Sequence, residues 1–230
     1  MPDPETDPAR LAEELARVRR RAKRNLRAAE AKGLLQGIVS MLRPGDVVID
    51  CGANLGAVTG PLAATGAEVH AYEPDPWAFG KLSAEMGGLP NVTLHNAAVG
   101  VEDGTVHLMR ARNFGENPKG ASVKSTVVPG GRQISEAAGD RIPVPLVALP
   151  RVIRELAARH GEVAFLKLDI EGAELALLER MLACDLFALV RLTVAETHER
   201  KFRDLAPRFA ALRRDIAARY PVTQVNLDWI

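Results

Sequence analysis

The sequence predicts an α/β fold with helices on both faces of a mostly parallel, Rossmann-like sheet. Three observations carry this. Short runs such as Val47-Val48-Ile49 have the unbroken hydrophobicity of strands buried on both faces. Strand-like and helix-like segments alternate from residue 47 onward, the order expected of right-handed βαβ units. A strand, an acid, a small-residue loop and a helix start then succeed one another in Val47-Val48-Ile49-Asp50-Cys51-Gly52-Ala53-Asn54-Leu55-Gly56. Open α/β sheets bind ligands at such a strand end.

The elements follow in order. Residues 1–6 read as disordered, and Asp7 as the cap of a helix with Pro8 in its first position. Leu11, Leu15 and Val18 recur at helical spacing, so residues 1–33 form a helical extension and 34–230 the main domain. A second helix is expected over Leu34–Leu42, stopped by Arg43-Pro44-Gly45. After the strand at 47–49 come a helix over Leu55–Ala64, a strand over Glu68–Tyr72, a helix over Pro76–Met86 and a strand over Val92–His95. Val99–Gly100 and Thr105–Met109 flank Glu102-Asp103-Gly104 and read as a hairpin. Residues 111–140 are glycine-rich with few periodic apolar positions, the character of a long binding loop. A strand is expected over Val144–Leu149, a helix over Arg151–Arg159, a strand over Val163–Leu168 and a helix over Ala173–Leu182. A strand over Leu189–Ala195, a helix over Leu205–Arg219 and a final strand within Val222–Trp229 complete the chain.

Composition excludes several classes. Lys plus Arg number 30 against 29 Asp plus Glu, without the basic excess of a nucleic-acid binder. The run Arg17–Arg27 (RVRRRAKRNLR) reads as a solvated helix face. Cys51 and Cys184 fit no zinc or CxxC spacing, and a reduced, cytoplasmic location is expected. The acidic, proline-rich start is not a signal peptide, and no apolar run reaches the length of a membrane span. A homo-oligomer is compatible with all of this.

The loop chemistry points to a cofactor. GANLG fails both the dinucleotide GxGxxG pattern and the Gly-Lys-Ser/Thr ending of a phosphate loop. Gly52 lets the chain turn tightly, and small residues let a ligand approach the backbone. Asp50 would repel a pyrophosphate but attract a sulfonium and an α-amino group, which suits S-adenosylmethionine (SAM). Glu73, at the end of the second strand, is placed to accept both ribose hydroxyls, a role NAD and SAM proteins share. Asn96 is placed to contact adenine and the Ala97 amide to bond a ring nitrogen.

At this point the sequence resembles the FkbM family of SAM-dependent methyltransferases. The resemblance rests on Val48 to Gly56, Ala71-Tyr72-Glu73-Pro74, Asn96-Ala97-Ala98-Val99-Gly100 and above all Phe165-Leu166-Lys167-Leu168-Asp169-Ile170-Glu171-Gly172-Ala173-Glu174, in this order over about residues 35–200. It implies a seven-stranded sheet with the last strand antiparallel. It also implies methylation of hydroxyl groups on sugars or other natural products. With the loop reading, it assigns the cofactor to Asp50, Gly52, Ala53, Asn54, Gly56, Glu73, Pro74, Asn96, Ala97 and Asp169. The segment LDIEGAE is not the Asn/Asp-Pro-Pro-Tyr/Phe motif of enzymes that methylate nucleic-acid amines.

The acceptor side is expected around Asp169, Glu196 and His198. Asp169 leaves the carboxyl end of a buried strand, whereas Glu174 is read as a helix-dipole acid. Glu196 and His198 are two apart, so on an extended chain they point the same way. His198 is the metal-free candidate base for a hydroxyl. A divalent metal such as magnesium on Asp169 and Glu196 is the alternative, left unassigned. A nicotinamide-dependent oxidoreductase and a SAM-binding protein without catalysis are the competing functions.

Overall fold

The computed structural model describes residues 8–130, 134, 135, 137, 141–199 and 201–229. The disorder read for residues 1–6 and the cap read for Asp7 lie outside the described residues. The chain divides into two compact units, one ending at Met41 and the other running over Leu42–Trp229. Within the first, the two expected helices are a single helix, α1 (Pro8–Met41). The expected boundary between residues 33 and 34 falls at Gly33, and one glycine costs a helix only about 1 kcal/mol. The basic run from Arg17 to Arg24 is exposed along α1.

The second unit is built on a six-stranded sheet in the order β3 (Val92–His95), β2 (Glu68–Tyr72), β1 (Val47–Cys51), β7 (Phe165–Leu168), β8 (Thr193–Ala195), β9 (Val225–Asn226). Every neighbouring pair is parallel. Every side chain of β1 and β7 is buried, so both faces of the central strands are covered. The chain leaves β1 toward β2 and β3, then returns to the other side of β1 as β7. The strand order therefore reverses between β1 and β7, and a crevice opens at their carboxyl ends.

The connections are α2 (Thr59–Ala63), α3 (Pro76–Met86), α5 (Leu149–His160), α6 (Glu174–Ala183) and α7 (Ala206–Ala217). Asp75 caps α3, accepting the Trp77 amide at 2.9 Å, and Pro76 occupies a position that needs no donor. The core gathers Val47, Ile49, Leu166 and Leu168 from the strands with Ile153, Leu177, Leu178, Met181 and Phe209 from the helices.

Five further expectations are corrected. The sheet has six strands rather than seven, and β9 joins β8 in parallel. The α7 crossover returns the chain to the same sheet end, which gives parallel pairing. The expected hairpin is absent: β4 (Ala98–Gly100) and β5 (Gly104–Met109) pair with β6 (Arg141–Ala148) between them, parallel and antiparallel respectively. The helix expected over Leu55–Ala64 begins only at Thr59, because Asn54 and Gly56 both have positive φ. The strand expected over Leu189–Ala195 is shortened by a 3-10 turn at Leu186–Leu189.

Candidate functional site

The crevice is floored by the turn that leaves β1. Gly52 has φ +79, and a Cβ there would sit inside the van der Waals radius of the Asp169 backbone oxygen. The amides of Gly52 and Ala53 both donate to Tyr72 O at 3.0 Å, tying the turn to the end of β2. Gly52→Ala is therefore expected to lower stability by more than about 2 kcal/mol, from left-handed strain plus overlap. A thermal unfolding midpoint within about a degree of the parent would contradict this close approach.

Glu73 is buried beside the turn, with 6% exposure. One carboxylate oxygen accepts the Asn54 amide and the other the Asp75 amide, each at 2.8 Å. Both oxygens are thus aimed, and each keeps a lone pair for a further donor. Burial pushes the carboxyl up to about 7, against the pull of those two amides. Asn96 braces the same corner by donating to Glu73 O at 2.8 Å and Pro74 O at 3.2 Å. Asp75 holds Arg110 in a two-point ion pair at 2.6 and 2.8 Å. Burial raises the Asp75 carboxyl, but Arg110 and the Trp77 amide hold it below the usual carboxylate range.

A cavity of about 280 Å³ runs from this corner along the strand ends. Its lining includes Asn54, Glu73 and Pro74, an apolar set of Ala97, Val99 and Leu108, and the acids Asp169, Glu171 and Glu196. The irregular stretch read as a binding loop contributes α4 (Pro118–Ser122) and the wall residues Ser122, Val123, Ser125, Thr126 and Val127. It is tied down by Thr126 Oγ1, which donates to Glu171 O at 2.7 Å.

Lys167 ties the Gly52 turn to Asp169. It is the one charge in the strand Phe165-Leu166-Lys167-Leu168, and its side chain is 3% exposed. Its ammonium donates to Gly52 O at 3.0 Å and lies 3.2 Å from Asp50 Oδ1 and 3.5 Å from Asp169 Oδ2. Burial alone would strip its proton, but Asp50 and Asp169 hold its pKa above that of a free lysine. Asp50 is fully buried, with its other oxygen accepting the Thr59 hydroxyl at 2.7 Å.

Around His198 five side chains converge. His198 Nδ1 lies 3.0 Å from Glu174 Oε1, and Nε2 lies 3.5 Å from Glu171, 3.8 Å from Glu196 and 4.0 Å from Asp169. Glu174 is fully buried and accepts the amides of Ile170 and Gly172 at 2.9 and 3.0 Å. Glu171 also pairs with Lys201. Burial disfavours the imidazolium, but hydrogen bonds to Glu171 and Glu174 push His198 up to about 10. Burial also raises the carboxyls of Asp169 and Glu196.

The structure thus brings Asp169, Glu196 and His198 together, with Asp169 and Glu196 lining the cavity and His198 behind them, and sets Gly52, Asn54, Glu73, Pro74 and Ala97 along its wall. Asp50, Ala53, Gly56, Asn96 and His198 do not line it. Asp50 serves Lys167 and Thr59, so its charge is met by the protein itself. Gly56 gives room to Leu82 and Met86 of α3. Sequence reasoning passed over Lys167 and Arg110, and read Glu171 and Glu174 as acids at a helix start rather than as partners of His198. Only Lys167 carried a signal, as a charge inside an apolar strand.

The methyltransferase FkbM domain matches residues 50–219. The 31-O-demethyl-FK506 methyltransferase FkbM of Streptomyces tacrolimicus is 29% identical over 178 residues, 69% of this chain and 67% of that protein. Among solved structures, an rRNA methylase from Streptococcus thermophilus is 24% identical over 28% of this chain and 37% of its own, with TM-score 0.27. A TehB-like SAM-dependent methyltransferase from Corynebacterium glutamicum is 22% identical over 39% of this chain and 45% of its own, with TM-score 0.23. The chain spans less than half the length of either solved structure.

Proposed function

This chain belongs to the FkbM methyltransferase family, and on that premise we propose that it moves the methyl group of SAM to a hydroxyl of a small molecule, a sugar or another natural product. The observation that carries the reading is one cavity lined both by Glu73 and the Gly52 turn and by Asp169 and Glu196. The residues present fit SAM. Glu73 offers two aimed carboxylate oxygens to the ribose hydroxyls, Ala97 and Leu108 offer apolar contact to the adenine, and Asp169 faces the cationic end. When bound, SAM supplies a methyl carbon made electrophilic by its sulfonium, and transfer leaves the electron pair on sulfur.

The chain's own work is alignment and proton handling. Holding the acceptor oxygen in line with the methyl supplies much of the rate. Asp169 and Glu196 line the cavity and accept the hydroxyl proton as the oxygen–carbon bond forms. His198, protonated at neutral pH in this cage of acids, donates to Glu174 and holds the cluster together. The family relative named for a 31-O-demethyl substrate supports an oxygen acceptor. The cavity wall from Ser122 to Val127 then shapes the acceptor's choice.

Labelled methyl transfer tests this. SAM with an isotopic methyl group, incubated with a panel of polyhydroxylated sugars and macrolides, is expected to leave label in ether linkage on at least one of them. Label found only on amines or nucleic acid would overturn the acceptor class.

A further inference from the structure

Among the described residues, Asp169, Glu196 and His198 bring ligand atoms within 4.8 Å of one another. We propose that these three side chains bind a divalent cation of the manganese class on the cavity wall, with open positions for the acceptor's oxygens.

The histidine matters more than the number of acids. Its side chain is 5% exposed, and its Nδ1 faces a fully buried carboxylate that backbone amides already hold in place. Glu174 therefore takes the Nδ1–H, and a cation that displaces the Nε2 proton of the imidazolium to solvent meets that nitrogen beside Asp169 and Glu196. A carboxylate behind a histidine is the usual support of a metal ligand. Nε2 stands 3.8 Å from Glu196 and 4.0 Å from Asp169, too far for hydrogen bonds. Two ligands of one cation, each bonded at about 2.1 Å, stand roughly 3–4.2 Å apart, which spans both distances. Glu171, 3.5 Å from Nε2, accepts the proton that the cation displaces and passes it to solvent, and Lys201 keeps that carboxylate paired afterwards. One imidazole with two carboxylates suits a borderline cation better than calcium, which prefers oxygen alone.

A cation there would acidify the acceptor hydroxyl, whose proton then passes to solvent or to a neighbouring carboxylate. That role rests on the methyl-transfer reading; the binding itself does not. The test is titration of the full chain with Mn²⁺, read by calorimetry and by the loss of the free-ion EPR signal. One Mn²⁺ per chain is expected. Glu196→Gln and His198→Asn should each weaken it by about 10-fold or more, and Glu174→Gln by about 10–100-fold. S-adenosylhomocysteine binding, measured on the same samples, checks that each variant is folded. Absence of Mn²⁺ binding in parent protein that binds S-adenosylhomocysteine would overturn the metal site and leave methyl transfer standing. Equal Mn²⁺ affinity in parent and variants would also overturn it. Mn²⁺ binding without S-adenosylhomocysteine binding would count against the methyl-transfer reading instead.

Discussion

Lys167→Met should cost the protein about 3–5 kcal/mol of folding stability, because it leaves Asp50 buried without its cation. Asp50 is fully buried, and Lys167 is the cation beside it, at 3.2 Å. The same ammonium ties Gly52 O, so the cofactor turn loosens with it. The double variant Asp50→Asn with Lys167→Met removes both charges and should recover most of the loss, since a neutral pair of similar volume has no ion to desolvate. Denaturant unfolding of the two variants measures this. A single variant that loses less than about 1 kcal/mol would show that Asp50 finds another partner.

Glu196→Gln should depress turnover by about 10²–10⁴-fold while leaving cofactor affinity nearly unchanged. Glu196 lines the cavity, and its side chain is 39% exposed, so the fold does not depend on its charge. The loss falls on the acceptor step, whether the carboxylate takes the proton directly or holds a cation. Single-turnover methyl transfer beside an S-adenosylhomocysteine titration separates the two effects. Full activity in a folded variant would remove Glu196 from the site.

Much of the fold was legible because its signals are local. The Asp75 cap and Pro76 define the start of α3, and β2, α3 and β3 fall at their expected bounds. Pairing was not legible where partners are distant in sequence. The turn Glu102-Asp103-Gly104 looks like a hairpin, yet Asp103 accepts the Ala148 amide at 2.9 Å and pairs with Arg151. That anchors β6 between the two strands the turn joins. The convergence of Asp169, Glu196 and His198 follows from strand order, because β7 and β8 are neighbours. Asp50 shows where sequence reading stops. Its charge suggests a cationic ligand, but the cation beside it is Lys167, which comes from 117 positions later in the chain and meets it only through the pairing of β1 with β7. Glu174 reads as a helix-start acid, and only the backbone of Glu171 and Gly172, both at positive φ, reveals it as the clamp on His198.

Calorimetric titration with S-adenosylhomocysteine and with NAD tests the central claim most directly. The free Glu73 carboxyl titrates near 7, well above an ordinary carboxylate, because it is buried. Ribose hydroxyls donate to its ionised form, so binding lowers its pKa and releases a proton below that value. Affinity for S-adenosylhomocysteine should therefore be level above about pH 7 and fall up to about 10-fold per unit beneath it. Glu73→Gln should bind about 10-fold more weakly and lose that slope. NAD should bind poorly throughout. Tight NAD binding with no S-adenosylhomocysteine binding would contradict the account.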